Sequence, residues 1–84
     1  MDKDELQKAI AASLIEVAPN VDPATLDPAK SFRDQIEFDS IDQLNFVLAL
    51  QEALGIEVPE LDYPQLAGLN AAADYLSNQL GSGN

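Results

Sequence analysis

Residues 32–59 read FRDQIEFDSIDQLNFVLALQEALGIEVP, and this stretch carries the pattern that decides the fold. The apolar spacing of residues 40–54 predicts a helix, and Gly55 follows it as a C-terminal stop. Residues 56–59 alternate like a strand, but the final proline lacks a backbone donor, so we expect an extended connector there. The stretch therefore predicts one long helix with an irregular segment on each side.

This helix has two apolar stripes at about 100° per residue. One stripe contains Phe46, Val47, Leu50 and Leu54, and the other contains Ile41, Leu44 and Leu48. The first stripe is enough to face a core. The second is either buried, because the helix is central, or exposed as a docking surface, and the sequence leaves both interpretations open.

Before this helix, residues 4–17 repeat apolar side chains at spacings of four, four and three, which predicts a first helix that ends before Pro19. Residues 18–38 are rich in turn formers and predict a long loop. A loop of this length in a small domain usually has a function or contains short helical turns.

After the helix, residues 61–66 suggest a short helical turn and residues 69–80 a last helix. We therefore expect an all-α four-helix bundle with a long loop between helices 1 and 2 and a short third helix. One domain would span residues 1–80, and the sequence GSGN at residues 81–84 reads as a disordered tail.

The chain is strongly acidic, with 15 Asp and Glu against 4 Lys and Arg and a net charge of −11. This balance disfavours nucleic acid and anionic membrane surfaces as partners and favours proteins with basic patches, unless it serves only solubility. The absence of Cys and His excludes His-assisted triads and the usual zinc sites. No signal peptide or membrane-spanning segment is recognisable, so we expect a soluble cytoplasmic protein that binds no metal.

Ser40 stands where the long loop meets the predicted central helix. The backbone N–H groups and the helix dipole at such a start favour an anion. Asp39 or Ser40 can equally be an ordinary N-cap, and Gln43 lies three residues after Ser40, as in a capping box. Taken alone, the Asp-Ser pair is weak evidence for a modification site.

The surroundings of Ser40 resemble the acyl carrier protein family. The family has Asp-Ser-Leu at the start of its second helix, then an Ala-Leu-Glu-Glu segment and a Gly-Ile-Glu-Ile-Pro segment. The corresponding segments here are Asp39-Ser40-Ile41, Ala49-Leu50-Gln51-Glu52 and Gly55-Ile56-Glu57-Val58-Pro59. The likeness runs without a gap from about Phe32 to Asp74-Tyr75-Leu76, and the first predicted helix fits the family in position and length, so the likeness covers nearly the whole chain.

The resemblance implies a non-catalytic carrier. A phosphopantetheinyl transferase would move 4′-phosphopantetheine from coenzyme A to Ser40, and the thiol of that arm would hold acyl groups as thioesters. It also implies a monomer. The implied partners are acyl-transfer, ketosynthase or acyl-activating enzymes with basic patches. The expected partner surface consists of Asp39, Ile41, Asp42, Leu44, Leu48 and Glu52. The expected lining of an acyl cavity consists of Phe46, Leu50, Val58, Leu66 and Ala72.

Several positions depart from the family pattern. Glu37-Phe38 replaces a small Gly-Ala pair, Asn45 and Gln51 replace Glu, and Tyr63-Pro64 occupies the short third helix. Phe38 would pack in the bundle or contact the arm or a partner, and Tyr63 could close over the acyl cavity or partly fill it. These departures predict a specialised stand-alone carrier, distinct from the housekeeping carrier of fatty acid synthesis.

Alternatives remain open within and outside the carrier class. Within it, the chain could be a polyketide, peptidyl or D-alanyl carrier. Outside it, the chain could be an unmodified acidic helical adaptor that docks a partner through Ile41, Leu44 and Leu48.

Overall fold

The structure is a computed structural model that describes residues 2–80. Its main helices are α1 (Lys3–Val17), α2 (Ser40–Leu54), a short 3-10 helix (Glu60–Leu66) and α3 (Leu69–Gln79). The described residues form no strand, apart from one isolated bridge between Ser31 and Gly68. The all-helical prediction is therefore confirmed, while the predicted tail at residues 81–84 lies outside the described residues.

The first helix begins and ends at residues that its sequence marks. Asp2 caps α1, with its carboxylate accepting a hydrogen bond from the Glu5 N–H at 2.8 Å. The helix ends at Val17 with Ala18 as its C-cap, directly before Pro19, which cannot continue it. Helix α2 ends with Gly55 as its C-cap, as predicted, and this glycine adopts the left-handed conformation with φ 65°.

The core lies between the three α-helices. It contains Leu6, Ile10 and Leu14 from α1, Phe46, Val47 and Leu50 from α2, and Ala72, Ala73 and Leu76 from α3. Under the start of α2, the rings of Phe32, Phe38 and Phe46 form a cluster with centroid separations of 5.2 to 6.3 Å. These ring contacts pack the segment before α2 against the helix itself.

Residues 18–39 connect α1 to α2 and contain two 3-10 turns, Pro23–Thr25 and Phe32–Asp34. The Gln35 side chain organises this connection. Its Oε1 accepts from the Asp27 N–H at 2.6 Å, and its Nε2 donates to the carbonyls of Asp27 and Ser31 at 3.0 and 3.2 Å. One amide thus fixes the path of residues 27–31.

The same connection docks onto the start of α3 through backbone hydrogen bonds. The Phe32 N–H donates to the Ala67 carbonyl at 2.7 Å, and the Asn70 N–H donates to the Pro28 carbonyl at 3.0 Å. Gly68 lies between them, and a Cβ there would meet the Lys30 carbonyl oxygen at 2.8 Å. The absence of a side chain at this position is what permits the close approach.

Within residues 2–80, no helix is both long enough and apolar enough to cross a membrane.

Candidate functional site

The N-terminus of α2 is capped by Asp39, so Ser40 is the first residue of the helix and not its cap. The Asp39 carboxylate accepts from the Asp42 N–H at 2.9 Å, and the Asp42 carboxylate accepts from the Asp39 N–H at 3.2 Å. The capping box therefore uses Asp42, and the predicted role of Gln43 in it is wrong. The carboxylate of Asp42 suits this position better than the amide of Gln43, because its negative charge also interacts favourably with the positive end of the helix dipole.

The Ser40 hydroxyl plays no part in this cap. Ser40 is exposed, and its side chain forms no hydrogen bond with any of residues 2–80. The backbone N–H groups of Ser40 and Ile41 also donate to no group in that range, whereas the Gln43 N–H donates to the Asp39 carbonyl at 3.0 Å. The start of α2 thus combines an accessible hydroxyl with two free donors.

A groove opens beside Ser40 between α2 and the 3-10 helix. Its α2 wall contains Ser40, Gln43 and Leu44, and its other wall contains Tyr63 and Pro64. The Gln43 Nε2 donates to the Tyr63 carbonyl at 3.0 Å and so ties the two walls together. This hydrogen bond holds the 3-10 helix against α2 next to the serine.

The 3-10 helix is also tied to α3. The Tyr75 hydroxyl donates to the Asp62 carboxylate at 2.7 Å. Burial, this hydrogen bond and the negative charge of Asp62 raise the pKa of Tyr75 to about 12. Tyr75 therefore stays protonated at neutral pH and keeps its donor directed at the carboxylate.

The predicted partner residues lie at the surface of α2. Ile41, Leu44 and Leu48 are 68%, 42% and 46% exposed, so the second apolar stripe is exposed and not buried by a central position of the helix. Among the acids assigned to this surface, Asp39 and Glu52 are exposed and Asp42 is half-buried in the capping box.

The residues predicted to line an acyl cavity are all buried in the core. They are Phe46, Leu50, Val58, Leu66 and Ala72. The groove that opens next to Ser40 is lined by other residues, including Leu44, Tyr63 and Pro64.

The two aromatic departures take different positions. Phe38 is only 5% exposed and packs against Phe32, so it belongs to the bundle, the first of the two roles considered for it. Tyr63 is half-buried and lines the groove beside Ser40.

The neutral residue Gln51 also has a structural role. It is half-buried, and its Oε1 accepts from the Val58 N–H at 2.7 Å. Its side chain is thereby directed at the connector after α2. Asn45, in contrast, is exposed on the helix, so it is the neutral replacement that changes the accessible face.

The sequence pattern did not identify Gln43 as the link between the two walls of the groove, or Arg33 as one of its lining residues. Spacing along one helix favours a capping role for Gln43, whereas its hydrogen-bond partner Tyr63 lies 20 residues away in the chain. No local signal could have found that contact. Among residues 2–80, no three acids are grouped so that they could hold a metal ion.

The arrangement suits attachment of a phosphate ester. An exposed hydroxyl without a competing partner can become an ester oxygen, and the free N–H groups beside it can donate to an anion. The adjoining groove, with Leu44, Tyr63 and Pro64, offers apolar contact to an uncharged chain. These residues therefore fit a phosphorylated group that continues into a flexible chain.

Comparison with known proteins gives a family match over most of the chain. The family model described as "Phosphopantetheine attachment site" matches residues 8–76.

Individual relatives are similar over almost the same extent. The acyl carrier protein of Acidothermus cellulolyticus is 30% identical over 78 residues, which cover 93% of this chain and 92% of that protein. The acyl carrier protein of Rubrobacter xylanophilus is 30% identical over 76 residues, or 90% and 93% of the two chains. Acyl carrier protein 2, mitochondrial, of Arabidopsis thaliana is 27% identical over 78 residues, and the match spans 93% of this chain but only 61% of the plant protein.

Proposed function

This chain belongs to the acyl carrier protein family, whose prosthetic group is a covalently attached 4′-phosphopantetheine, and we propose that Ser40 is the attachment residue. The observation that carries the proposal is the Ser40 hydroxyl, which is exposed at the start of α2 and forms no hydrogen bond within residues 2–80. The group supplies a terminal thiol that holds acyl chains as thioesters, which a chain without cysteine cannot supply itself.

Attachment is a phosphoryl transfer from coenzyme A, carried out by a phosphopantetheinyl transferase. The Ser40 oxygen forms a bond to the phosphorus that bears pantetheine, and the pyrophosphate P–O bond breaks. Adenosine 3′,5′-bisphosphate leaves, and the hydroxyl proton passes to a base of the transferase. The carrier contributes position only: the capping box fixes the backbone at Ser40, and the hydroxyl has no bond to lose.

The exposed stripe of Ile41, Leu44 and Leu48 is the surface on which partner enzymes dock, with Asp39 and Glu52 at its ends. Apolar side chains supply most of the contact energy at such surfaces, and the rim charges guide the encounter. A net charge of −11 favours partners with basic patches around an apolar contact. We take these partners to be acyl-transfer, ketosynthase or acyl-activating enzymes.

The pathway is specialised, because the accessible face of α2 carries the neutral Asn45 where carriers of fatty acid synthesis have a glutamate. The holo protein should therefore be a poor substrate for fatty-acid-synthase enzymes in transfer assays run beside a housekeeping carrier. Equal acceptance of the two carriers would contradict this specialisation and leave the attachment of the arm at Ser40 intact. The cytoplasmic location and the monomeric state stay predictions.

The attachment is tested by intact mass. Incubation with coenzyme A, Mg²⁺ and a broad-specificity transferase should add one phosphopantetheine to the wild-type chain and none to Ser40→Ala. Ser31→Ala is the matched control, because Ser31 lies in the neighbouring connection and its side chain caps nothing. This control should gain the same mass as the wild type.

A wild-type chain that gains no mass would favour the unmodified adaptor that docks through Ile41, Leu44 and Leu48. Modification that persists in Ser40→Ala would place the arm elsewhere. Once the arm is attached and loaded, the mass of the loaded arm identifies the acyl group. This measurement also distinguishes the peptidyl and D-alanyl carrier alternatives.

A further inference from the structure

We propose that Arg33 binds the phosphate of the arm and so positions the arm's first segment at the groove beside Ser40. This inference rests on the proposed attachment at Ser40. It assigns to Arg33 a positioning role that is separate from the attachment itself.

The location of Arg33 is the first support. Arg33 and Ser40 line the same groove, although they belong to different elements. The backbone around Arg33 is fixed, because Phe32 is fully buried and its N–H donates to the Ala67 carbonyl at 2.7 Å. Arg33 therefore lines the groove beside Ser40 from a backbone segment that these contacts hold in place.

The local charge is the second support. Ser40 lies between Asp39 and Asp42, and the opposite wall of the groove ends at Glu60. A phosphodiester on Ser40 adds a further negative charge among these carboxylates, which repel it. A nearby cation would offset that repulsion in addition to the free N–H groups at the start of α2.

Arg33 is the cation in position to do so. Among the described side chains, it is the only Lys or Arg that lines this groove, while Lys8 and Lys30 line two other surface depressions. Arg33 is exposed and forms no ion pair with any of residues 2–80, so its charge is not already neutralised. A guanidinium can also donate two parallel hydrogen bonds to a phosphate.

The test asks whether the effect of the arm on stability depends on the Arg33 side chain. Melting temperatures of the apo and holo forms are measured at low ionic strength for the wild type, Arg33→Gln and Lys30→Gln. Lys30→Gln is the matched control, since it removes the same charge from the same connection but away from the groove. Intact mass verifies that each holo form is fully loaded.

Attaching the arm should lower the melting temperature of Arg33→Gln by about 1–5 °C more than that of the wild type, as expected for one exposed ion pair in a small domain. Lys30→Gln should respond like the wild type. The ³¹P chemical shift of holo Arg33→Gln should move toward the value of the urea-unfolded holo protein. Added salt at about 0.5 M should remove the difference.

Equal responses of Arg33→Gln and Lys30→Gln, with unchanged ³¹P shifts, would overturn the role of Arg33. In that case the response of the melting temperature to the arm would depend only on the net charge of the protein. The proposed attachment at Ser40 would be unaffected. A wild-type chain that gains no phosphopantetheine would overturn both proposals, and the mass measurement detects this before any melting curve is recorded.

Discussion

Gly68 has no room for a side chain, in contrast to Gly55. A Cβ at this position would lie 2.8 Å from the Lys30 carbonyl oxygen, and the obstacle is backbone, which cannot rotate away. Gly68→Ala should therefore push the connection off the start of α3 and destabilise the fold by about 1–3 kcal/mol. Urea unfolding followed by circular dichroism measures this loss.

Gly55→Ala is the informative comparison for that substitution. A Cβ at Gly55 meets nothing within 4 Å, but the backbone has φ 65°. Gly55→Ala should lower the free energy of unfolding by about 1 kcal/mol, because alanine disfavours this backbone conformation although its Cβ meets no obstacle. If Gly68→Ala were as stable as the wild type, the docking of the connection onto α3 would be wrong.

Between elements, the bond from Tyr75 to Asp62 joins α3 to the 3-10 helix. Tyr75→Phe removes this hydrogen bond to a charged acceptor and should cost about 1–2 kcal/mol at neutral pH. The raised pKa of Tyr75, about 12, means that the folded chain holds this proton more tightly than the unfolded chain. The associated stability is therefore fully present below about pH 10, the value for an unperturbed tyrosine, and is lost as the pH rises toward the folded value.

Denaturant midpoints between pH 9 and 12 check this dependence. The wild type should lose stability more steeply than Tyr75→Phe over that range. Tyr63→Phe leaves the bond from Tyr75 to Asp62 in place and should keep the wild-type slope. Identical slopes for the wild type and Tyr75→Phe would show that this bond does not couple the two elements.

At the same scale, the sequence predicted the helices well and the contacts between them poorly. Apolar spacing located α1 and α2, and Gly55 marked the end of α2, because these signals lie within one element. The spacing also found two stripes on α2, but it could not decide that Leu48 is exposed, since exposure depends on how the other helices pack. The sequence placed Ser40 at the start of this helix, which the structure confirms, but it assigned Gln43 to the wrong contact.

The whole molecule carries a net charge of −11, and no Lys or Arg side chain that the structure describes forms an ion pair. Mutual repulsion among the acids should therefore lower the stability of the folded chain at low ionic strength. Raising NaCl from about 10 to 200 mM should increase the melting temperature by on the order of 5 °C through screening. Mg²⁺ should have the same direction of effect.

A charge-reduced variant provides the control. Asp34→Asn combined with Glu37→Gln removes two exposed acids near the start of α2, so its melting temperature should depend less on salt. A melting temperature of the wild type that does not change across this range would contradict the repulsion argument.

The capping box of Asp39 and Asp42 closes without the Ser40 side chain, so the proposed attachment at Ser40 would not disturb the start of α2. The newly made chain can fold completely before it is modified, because no bond in residues 2–80 uses the serine hydroxyl. On the proposed function, the unmodified chain would therefore meet the transferase as an already folded substrate.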